Sequence, residues 1–370
     1  MRFPEFSGEW KKHSLGEIGE TIIGLTYKPS DVVDNNGIIV FRSSNIKNGM
    51  IDYSDLVRVN KHIKDKIITK ENDILVCARN GSQRLIGKNA IIKQEDANNT
   101  FGAFMMVYRA NDNPFILPLL STKKYFSQVG ENLGARINQI TTSDFNGFEF
   151  YFPENHAERT KIAELFRLLD ERIATQNKII EDLKKLKSAI TDLLFHSIAD
   201  AHTIRLGEIA HITNGAGDVQ DANTEHQEDW YPFFDRSEEL KWFPTYSFDK
   251  EAVIYAGEGQ SFYPRYYNGK FALHQRCYAI TDFASCIIPK YCYHFMNTLN
   301  SYFVRNSVGS TVPSLRMDIF QKVEIRLPPI PKQQHICKII DAFYTKLEVE
   351  QRGISILQEL KQFLLSQMFI

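Results

Sequence analysis

The chain begins a second time near its midpoint, and this repetition constrains its fold more than any other feature. Ser14-Leu15-Gly16-Glu17-Ile18 recurs as Arg205-Leu206-Gly207-Glu208-Ile209. A longer correspondence follows: Phe152-Pro153, then Glu158-Arg159-Thr160-Lys161-Ile162-Ala163, answers Leu327-Pro328-Pro329, then Lys332-Gln333-Gln334-His335-Ile336-Cys337. Here 336 minus 162 gives an offset of 174. Carried forward, that offset pairs Ile173 with Leu347, Leu183 with Leu357, Ile190 with Leu364 and Phe195 with Phe369. Internal self-similarity of this kind reports a duplicated structural plan, here in the order globular part, helix, globular part, helix.

The two helical stretches carry a coiled-coil period. Steps of four and three from Ile162 give Ile162, Phe166, Leu169, Ile173, Gln176, Ile180, Leu183, Lys187, Ile190 and Leu194, eight of them apolar. The same steps from Ile336 give Ile336, Ile340, Phe343, Leu347, Glu350, Ile354, Leu357, Lys361, Leu364 and Met368, with polar residues at the two equivalent places. Helices with matching seams bury them against each other, and polar seam positions fix register at some cost in stability. The alternative is that each helix packs on its own domain. About 36 residues at 1.5 Å rise make a rod on the order of 50 Å.

With 43% hydrophobic and 12% aromatic residues, the 370-residue chain has material for two or three packed cores. No run approaches the roughly 20 apolar residues of a membrane span, and Met1-Arg2-Phe3-Pro4-Glu5 lacks a signal-peptide core. A cytoplasmic protein with no membrane partner is expected. The five cysteines are odd in number and include no C-x-x-C pair, so reduced, buried thiols are expected rather than disulfides or a metal site. A formal net charge of -1 means that any face for nucleic acid is local.

Residues 1–153 form the first expected globular domain, 154–202 the first long helix, 203–329 the second domain and 330–370 the second helix. The fold class is α+β: two small mixed domains separated by a long antiparallel two-helix coiled coil. In the first domain, short apolar runs at 37–41, 73–77, 89–92 and 104–108 read as strands separated by Asn, Asp and Gly turns. Three loops concentrate polar and basic residues beside them. The first offers Arg42, Ser43, Asn45 and Lys47, the second Arg79, Asn80, Ser82, Arg84 and Lys88, and the third Arg136, Asn138 and Gln139. Arginine suits guanine edges, Asn and Gln suit adenine edges, and Ser and Lys suit phosphates. Alone, each loop is more often just a solvated turn; the force comes from all three in one small domain.

The second domain repeats the scaffold with other residues. Residues 251–255 stand for 73–77, Gly269-Lys270 for Gly87-Lys88, and Arg236-Ser237 for Arg42-Ser43. The intervening loop mixes aromatics and arginine through Tyr263, Arg265 and Tyr266, ahead of His274-Gln275-Arg276. Those aromatics fit a local core equally well. The 309–316 loop, with Ser310, Thr311 and Arg316, takes the place of the Gly134 loop. Lys270 completes the candidate DNA contacts. Similar scaffolds with unlike loops imply two different half-sites.

Catalytic residues, cofactor sites and metal sites are not expected in this chain. An adenine methyltransferase needs an Asn/Asp-Pro-Pro-aromatic tetrapeptide and a glycine-rich cofactor loop, and neither is present. Gly87-Lys88 is followed by Asn89, which rules out a phosphate loop. Asp182-Leu183-Lys184 lies on the seam helix, and His274 with Cys277 lacks further ligands at zinc spacing.

The whole chain resembles a type I restriction-modification specificity subunit, in which two target recognition domains alternate with two spacer helices. The resemblance rests on Leu15-Gly16-Glu17-Ile18 and its copy, Phe41-Arg42-Ser43-Ser44-Asn45-Ile46, the Gly-Lys turns, the glycine-led loops and both proline-led helix starts. It implies double-stranded DNA with a bipartite site as ligand, and two methyltransferase subunits docked along the helices. Motor-nuclease subunits join in a restricting complex. S-adenosylmethionine is then expected in the methyltransferase partner, and ATP and magnesium in the motor-nuclease partner. Phe152-Pro153-Glu154-Asn155-His156 and the helix-interrupting Gly353 depart from the pattern. The other readings are a fused single-chain methylase or nuclease, and a coiled-coil scaffold that binds only proteins.

Overall fold

The structure, a computed structural model, describes residues 1–133, 138–196, 200–309 and 311–369. The chain divides into two compact units, residues 1–177 with 352–370, and residues 178–351.

In the first unit, Trp10–Ser14 pairs antiparallel with Glu149–Pro153 and draws the ends of the first globular segment together. The repeated Leu-Gly-Glu-Ile motif is a single helical turn that plants Leu15 in the core. The Leu15 amide donates to Phe148 O at 2.9 Å, and its carbonyl accepts from Tyr108 Oη at 2.8 Å. The main sheet orders Glu20–Ile23, Met105–Arg109, Ile74–Cys77 and Asn89–Ile91. Alternation with period two sends Ile74 and Val76 toward Tyr108, Phe145 and Phe150, and sends Leu75 and Cys77 toward Phe41, Phe101 and Val107. Both faces are covered, which is why this strand reads as an unbroken apolar run. Burial pushes the Cys77 thiol up to about 11.

The second unit repeats these parts. Leu206 sits in its own helical turn, and its amide donates to Val323 O at 2.8 Å. The sheet orders His211–Asn214, Cys277–Thr281, Phe248–Ala256, Arg265–Leu273, Tyr231–Phe234 and Lys241–Phe243. Phe271 and Cys277, only six residues apart, pair with opposite ends of the Phe248–Ala256 strand, so the sheet coils. Ala252, Ile254, Leu273 and Cys277 pack on one face of that strand, and Val253 and Tyr255 on the other.

Two long helices, His156–His196 and Ile330–Met368, pair in both units. In the first unit Lys361 Nζ reaches Asp170 Oδ1 at 2.5 Å and Phe369 stacks on Phe166 at 5.8 Å. In the second unit Lys187 Nζ lies 4.1 Å over the Tyr344 ring. The residue numbers sum to 531 in both cation contacts (170 plus 361, 187 plus 344), so each unit uses the same antiparallel register. The two seam lysines thus stabilise equivalent polar positions in different ways. Packing on the domains occurs as well: Ile162 and Phe166 join the first-unit core, and Ile336 and Ile340 the second. Both ways of burying the stripes are used.

Helix starts are fixed by side chains bonded to nearby backbone groups. Asn155 Oδ1 accepts from Ala157 N at 2.9 Å, and Arg159 Nη1 donates to Pro153 O at 2.6 Å. At the position offset by 174, Gln333 Nε2 donates to Pro328 O at 2.9 Å and to Cys286 O at 2.8 Å. The expected break at Gly353 is corrected: the helix runs unbroken through it, because one glycine costs only about 1 kcal/mol against alanine.

A buried histidine makes the second unit acid-sensitive. His294, 2% exposed, contacts Asp341 Oδ1 through Nε2 at 3.0 Å, and Lys290 Nζ holds the other carboxylate oxygen at 2.8 Å. Burial holds His294 below its ordinary value of 6.5, against the opposing pull of Asp341 and with added repulsion from Lys290 and Lys187. The unfolded state therefore binds the proton more readily. Stability is full above about pH 6.5 and falls as pH drops toward the lower folded value, by at most about 1.4 kcal/mol per pH unit for one proton. Urea midpoints between pH 7.5 and 5 should show this loss, and His294→Gln should flatten it. An equal slope in the variant rejects the assignment.

Candidate nucleic-acid interface

The three polar loops of the first unit are tied into one surface. Where the Ile74–Cys77 strand ends, the amides of Ala78 and Arg79 both donate to Phe104 O at 3.0 Å. Ile140 N donates to Ala78 O at 2.9 Å, and Arg79 bridges Gln139. Asn80 then joins all three loops. Its Nδ2 donates to Ser43 Oγ at 2.9 Å, its amide to Asn138 O at 3.3 Å, and its Oδ1 accepts from Ser82 N at 3.0 Å. Asn138, at φ +54°, donates from Nδ2 to Gly81 O at 3.0 Å, a conformation that asparagine tolerates well.

The predicted contacts divide by what each side chain already holds. Arg79 and Arg84 are exposed and make no ion pair among the described residues, and Ser82 is exposed beside them. Arg42 is partly committed, with Nη2 2.8 Å from Asp55 Oδ2. Lys47 reaches Asp52 Oδ1 at 3.0 Å and Ser54 Oγ at 2.8 Å. Ser54 and Lys47 together hold the Asp52 carboxyl down to about 2. Lys88 is half-buried below the loop. Asn45 requires correction as a base contact: it is 0% exposed, accepts from Arg42 N, and donates to Asp52 O and Asp55 O at 3.0 and 2.8 Å. It shapes its loop from inside. Arg136 lies outside the described residues.

The second unit builds the same backbone scaffold. Gly257 N donates to Arg276 O at 2.9 Å, Leu315 N to Gly257 O at 2.7 Å and Gly259 N to Pro313 O at 3.1 Å, while Glu258 bridges Ser314. His274 N donates to Phe234 O at 2.9 Å and Gln275 N to Gly217 O at 3.1 Å. Arg265 spans the gap between loops, with Nη2 donating to Asp235 O at 2.7 Å and to Ser237 O at 2.5 Å. Ser237 itself is tied to Asp235 Oδ1 at 2.6 Å. Arg236, Tyr263, Gln275, Thr311 and Arg316 are exposed on these loops.

Some expected members are not brought there. Tyr266 hydrogen-bonds Glu251 and lies against the Tyr293 ring at 5.7 Å, facing a helix. Lys270 sits over Tyr246 at 4.7 Å and pairs in register with Asp249, far along the strand from Ala256. Gly269-Lys270 therefore does not replace Gly87-Lys88: Gly87 lies before its strand at φ +81°, whereas Gly269 lies inside Arg265–Leu273. The strand correspondence also moves by one residue. Cys77 opposes Met105 as Ala256 opposes Cys277, an offset of 179 (256 minus 77) rather than 178. By the same ladder Arg42 answers Asp235 and Ser43 answers Arg236, because Phe41 and Phe234 are the equivalent acceptors of Gly102 N and His274 N. Ser310 lies outside the described residues. Phe104, Glu258 and Arg276 are not among the predicted contacts, yet they surround the strand exits; only the ladder aligns them.

Comparison with known proteins agrees with the duplicated plan. Residues 7–185 and 199–362 each match the type I restriction modification DNA specificity domain. The chain is 31% identical over 165 residues (44% of it, 36% of the relative) to the type I restriction enzyme EcoDI specificity subunit of Escherichia coli. It is 28% identical over 193 residues (49% of it, 41% of the relative) to the EcoKI specificity subunit of Escherichia coli strain K12. The chain thus spans about two-fifths of the length of the curated relatives it matches. In fold it is similar to the type I restriction-modification S subunit from M. genitalium, with TM-score 0.66 and 17% identity over 100% of this chain and 99% of that one. A chain from a structure of complex assembly and conformational transition in the type I R-M system gives TM-score 0.57 at 16% identity, covering 98% of each. With both halves matched to one domain type, the protein belongs to the type I restriction modification DNA specificity domain family.

Proposed function

We propose that this chain is the DNA-reading, non-catalytic subunit of a type I restriction-modification complex in the cytoplasm, each domain reading one half of a bipartite duplex target. Two methyltransferase subunits dock along the paired helices and bring S-adenosylmethionine. Motor-nuclease subunits bring ATP and magnesium where the complex restricts. The observation that carries this reading is the joining of polar loops from separate parts of each domain into one hydrogen-bonded surface with uncommitted arginines, on equivalent backbones bearing different side chains. Equivalent backbones suit the same task, and different side chains suit different base sequences.

The test is sequencing of modified adenines in a host that expresses the chain with its methyltransferase subunit. A bipartite motif is expected, and Arg79→Ala with Arg84→Ala should relax only one half of it. An unchanged motif after these substitutions and those of the other first-domain contacts rejects the assignment. Incubating the purified chain alone with DNA, S-adenosylmethionine and magnesium should yield neither methylated nor cut product. With a formal charge of -1, the isolated chain should bind DNA weakly and gain tight, salt-dependent affinity only when partners add basic surface; tight, specific binding by the lone chain in a filter titration contradicts this.

A further inference from the structure

We infer that the strand exit carrying Arg79 and Phe104, and its counterpart carrying Glu258 and Arg276, is a specificity-determining position that presents an arginine from opposite sides of the same backbone ladder in the two domains. This rests on the DNA-reading function proposed above. The equivalence comes from the main chain. Ala78 N to Phe104 O matches Gly257 N to Arg276 O, Ile140 N to Ala78 O matches Leu315 N to Gly257 O, and the bridge from Arg79 to Gln139 matches that from Glu258 to Ser314. On this ladder Arg79 coincides with Glu258, and Phe104 with Arg276.

The side chains at the two positions are exchanged in chemistry. In the first domain the Arg79 guanidinium lies 5.1 Å from the centroid of the Phe104 ring. That ring is 59% exposed and belongs to none of the core clusters, so core packing does not account for it. A ring beneath a guanidinium sets its plane and leaves all its N–H donors free. In the second domain Arg276 Nη1 is held 2.7 Å from Glu258 Oε1. The carboxylate side chain is only 21% exposed and the arginine 65%, so Glu258 anchors the near edge and leaves the far edge of the fork outward. Each neighbour restricts its arginine before any ligand arrives, which reduces the ordering cost of binding. A guanidinium held in this way suits the O6 and N7 acceptors of guanine. Because the two arginines leave the ladder at different points, the guanine they read falls at a different place in each half-site. Phe104 and Glu258 are positioning residues.

The experiment uses the full chain purified with its methyltransferase subunit and a panel of duplexes in which each base pair of the site is replaced in turn. Competition binding and methylation rate are both read. The wild-type complex should penalise loss of one G·C pair in each half. Arg79→Ala should flatten the first-half penalty by about five- to 150-fold and leave the second half unchanged, and Arg276→Ala the reverse. Arg79→Lys, which keeps the charge but not the fork, should lose the same discrimination with little change in nonspecific affinity. Phe104→Ala should weaken discrimination at the Arg79 position, and Phe104→Tyr should restore it. If Arg79→Lys and Arg79→Ala keep wild-type discrimination at every position, the inference is overturned while the proposed function stands. A wild-type complex with no preference in either half overturns the function itself.

Discussion

Asp73→Ala is expected to lower the stability of the first unit by about 3 to 5 kcal/mol, the cost of breaking a buried ion pair by removing one partner. Asp73 is 1% exposed immediately before the Ile74–Cys77 strand. Its carboxylate takes two parallel hydrogen bonds from Arg109, Nε to Oδ1 at 2.8 Å and Nη2 to Oδ2 at 2.6 Å, and a third from Lys70 N at 2.8 Å. Arg109 stands on the neighbouring strand, and Nη2 also donates to Ile68 O at 3.0 Å. Alanine would leave a mostly buried guanidinium with one carbonyl and only the cross-strand Glu20 carboxylate as counter-charge. The double variant Asp73→Ala with Arg109→Leu should recover most of the loss, because it removes the stranded charge with its partner. Urea unfolding of the wild type and both variants measures this. A single-variant loss below about 1 kcal/mol, or a double variant no better than the single, would show that the pair is not what holds these strands.

Parts of the fold that depend on local pattern could be read in the sequence. The Leu-Gly-Glu-Ile copies are visible because burying Leu15 and Leu206 in one helical turn needs the same few residues twice. The seams are visible because a helix repeats its contacts every three or four residues, and the 174 offset that aligns Lys187 with Lys361 also aligns their partners Tyr344 and Asp170. Clustering of the three polar loops was legible only as a coincidence of composition. Its cause, Asn80 bonding to Ser43 and Asn138, joins residues 37 and 58 positions apart.

What depends on distant carbonyls could not be read. Asn45 resembles an adenine reader in sequence, yet its amide is spent on Asp52 O and Asp55 O. Arg265 resembles a free contact, yet it braces the carbonyls of Asp235 and Ser237. The one-residue slip in the strand correspondence has a similar origin. Both strands are apolar on both faces, so hydropathy does not distinguish the two registers; the ladder to the neighbouring strand does.

Two glycines that no motif marks are expected to be among the least replaceable residues in the chain. Gly24→Ala and Gly215→Ala should each cost about 3 kcal/mol, near the upper end for overpacking, because the obstruction is backbone rather than a movable side chain. A Cβ on Gly24 would lie 2.2 Å from Gly102 O and 2.4 Å from Phe101 O; on Gly215 it would lie 2.0 Å from Leu273 O and 2.5 Å from His274 O. The two positions are equivalent: Gly24 N donates to Met105 O and Gly215 N to Cys277 O, the residues that open matching strands. In both domains the obstructed carbonyls belong to the segment just before Phe104 or Arg276. The chain can relieve the clash only by moving that segment, so under the proposed function reading of the half-site assigned to that domain should fail before the other half is affected. Gly130→Ala is the control: it lies in the Lys123–Leu133 helix with open space around its Cβ, and should stabilise by roughly 0.5 to 1 kcal/mol. Denaturant midpoints and adenine-modification motifs of the three variants decide the matter. If Gly24→Ala and Gly215→Ala unfold at the wild-type midpoint, the close approach of these strands does not constrain the domains, and any loss of reading must arise elsewhere.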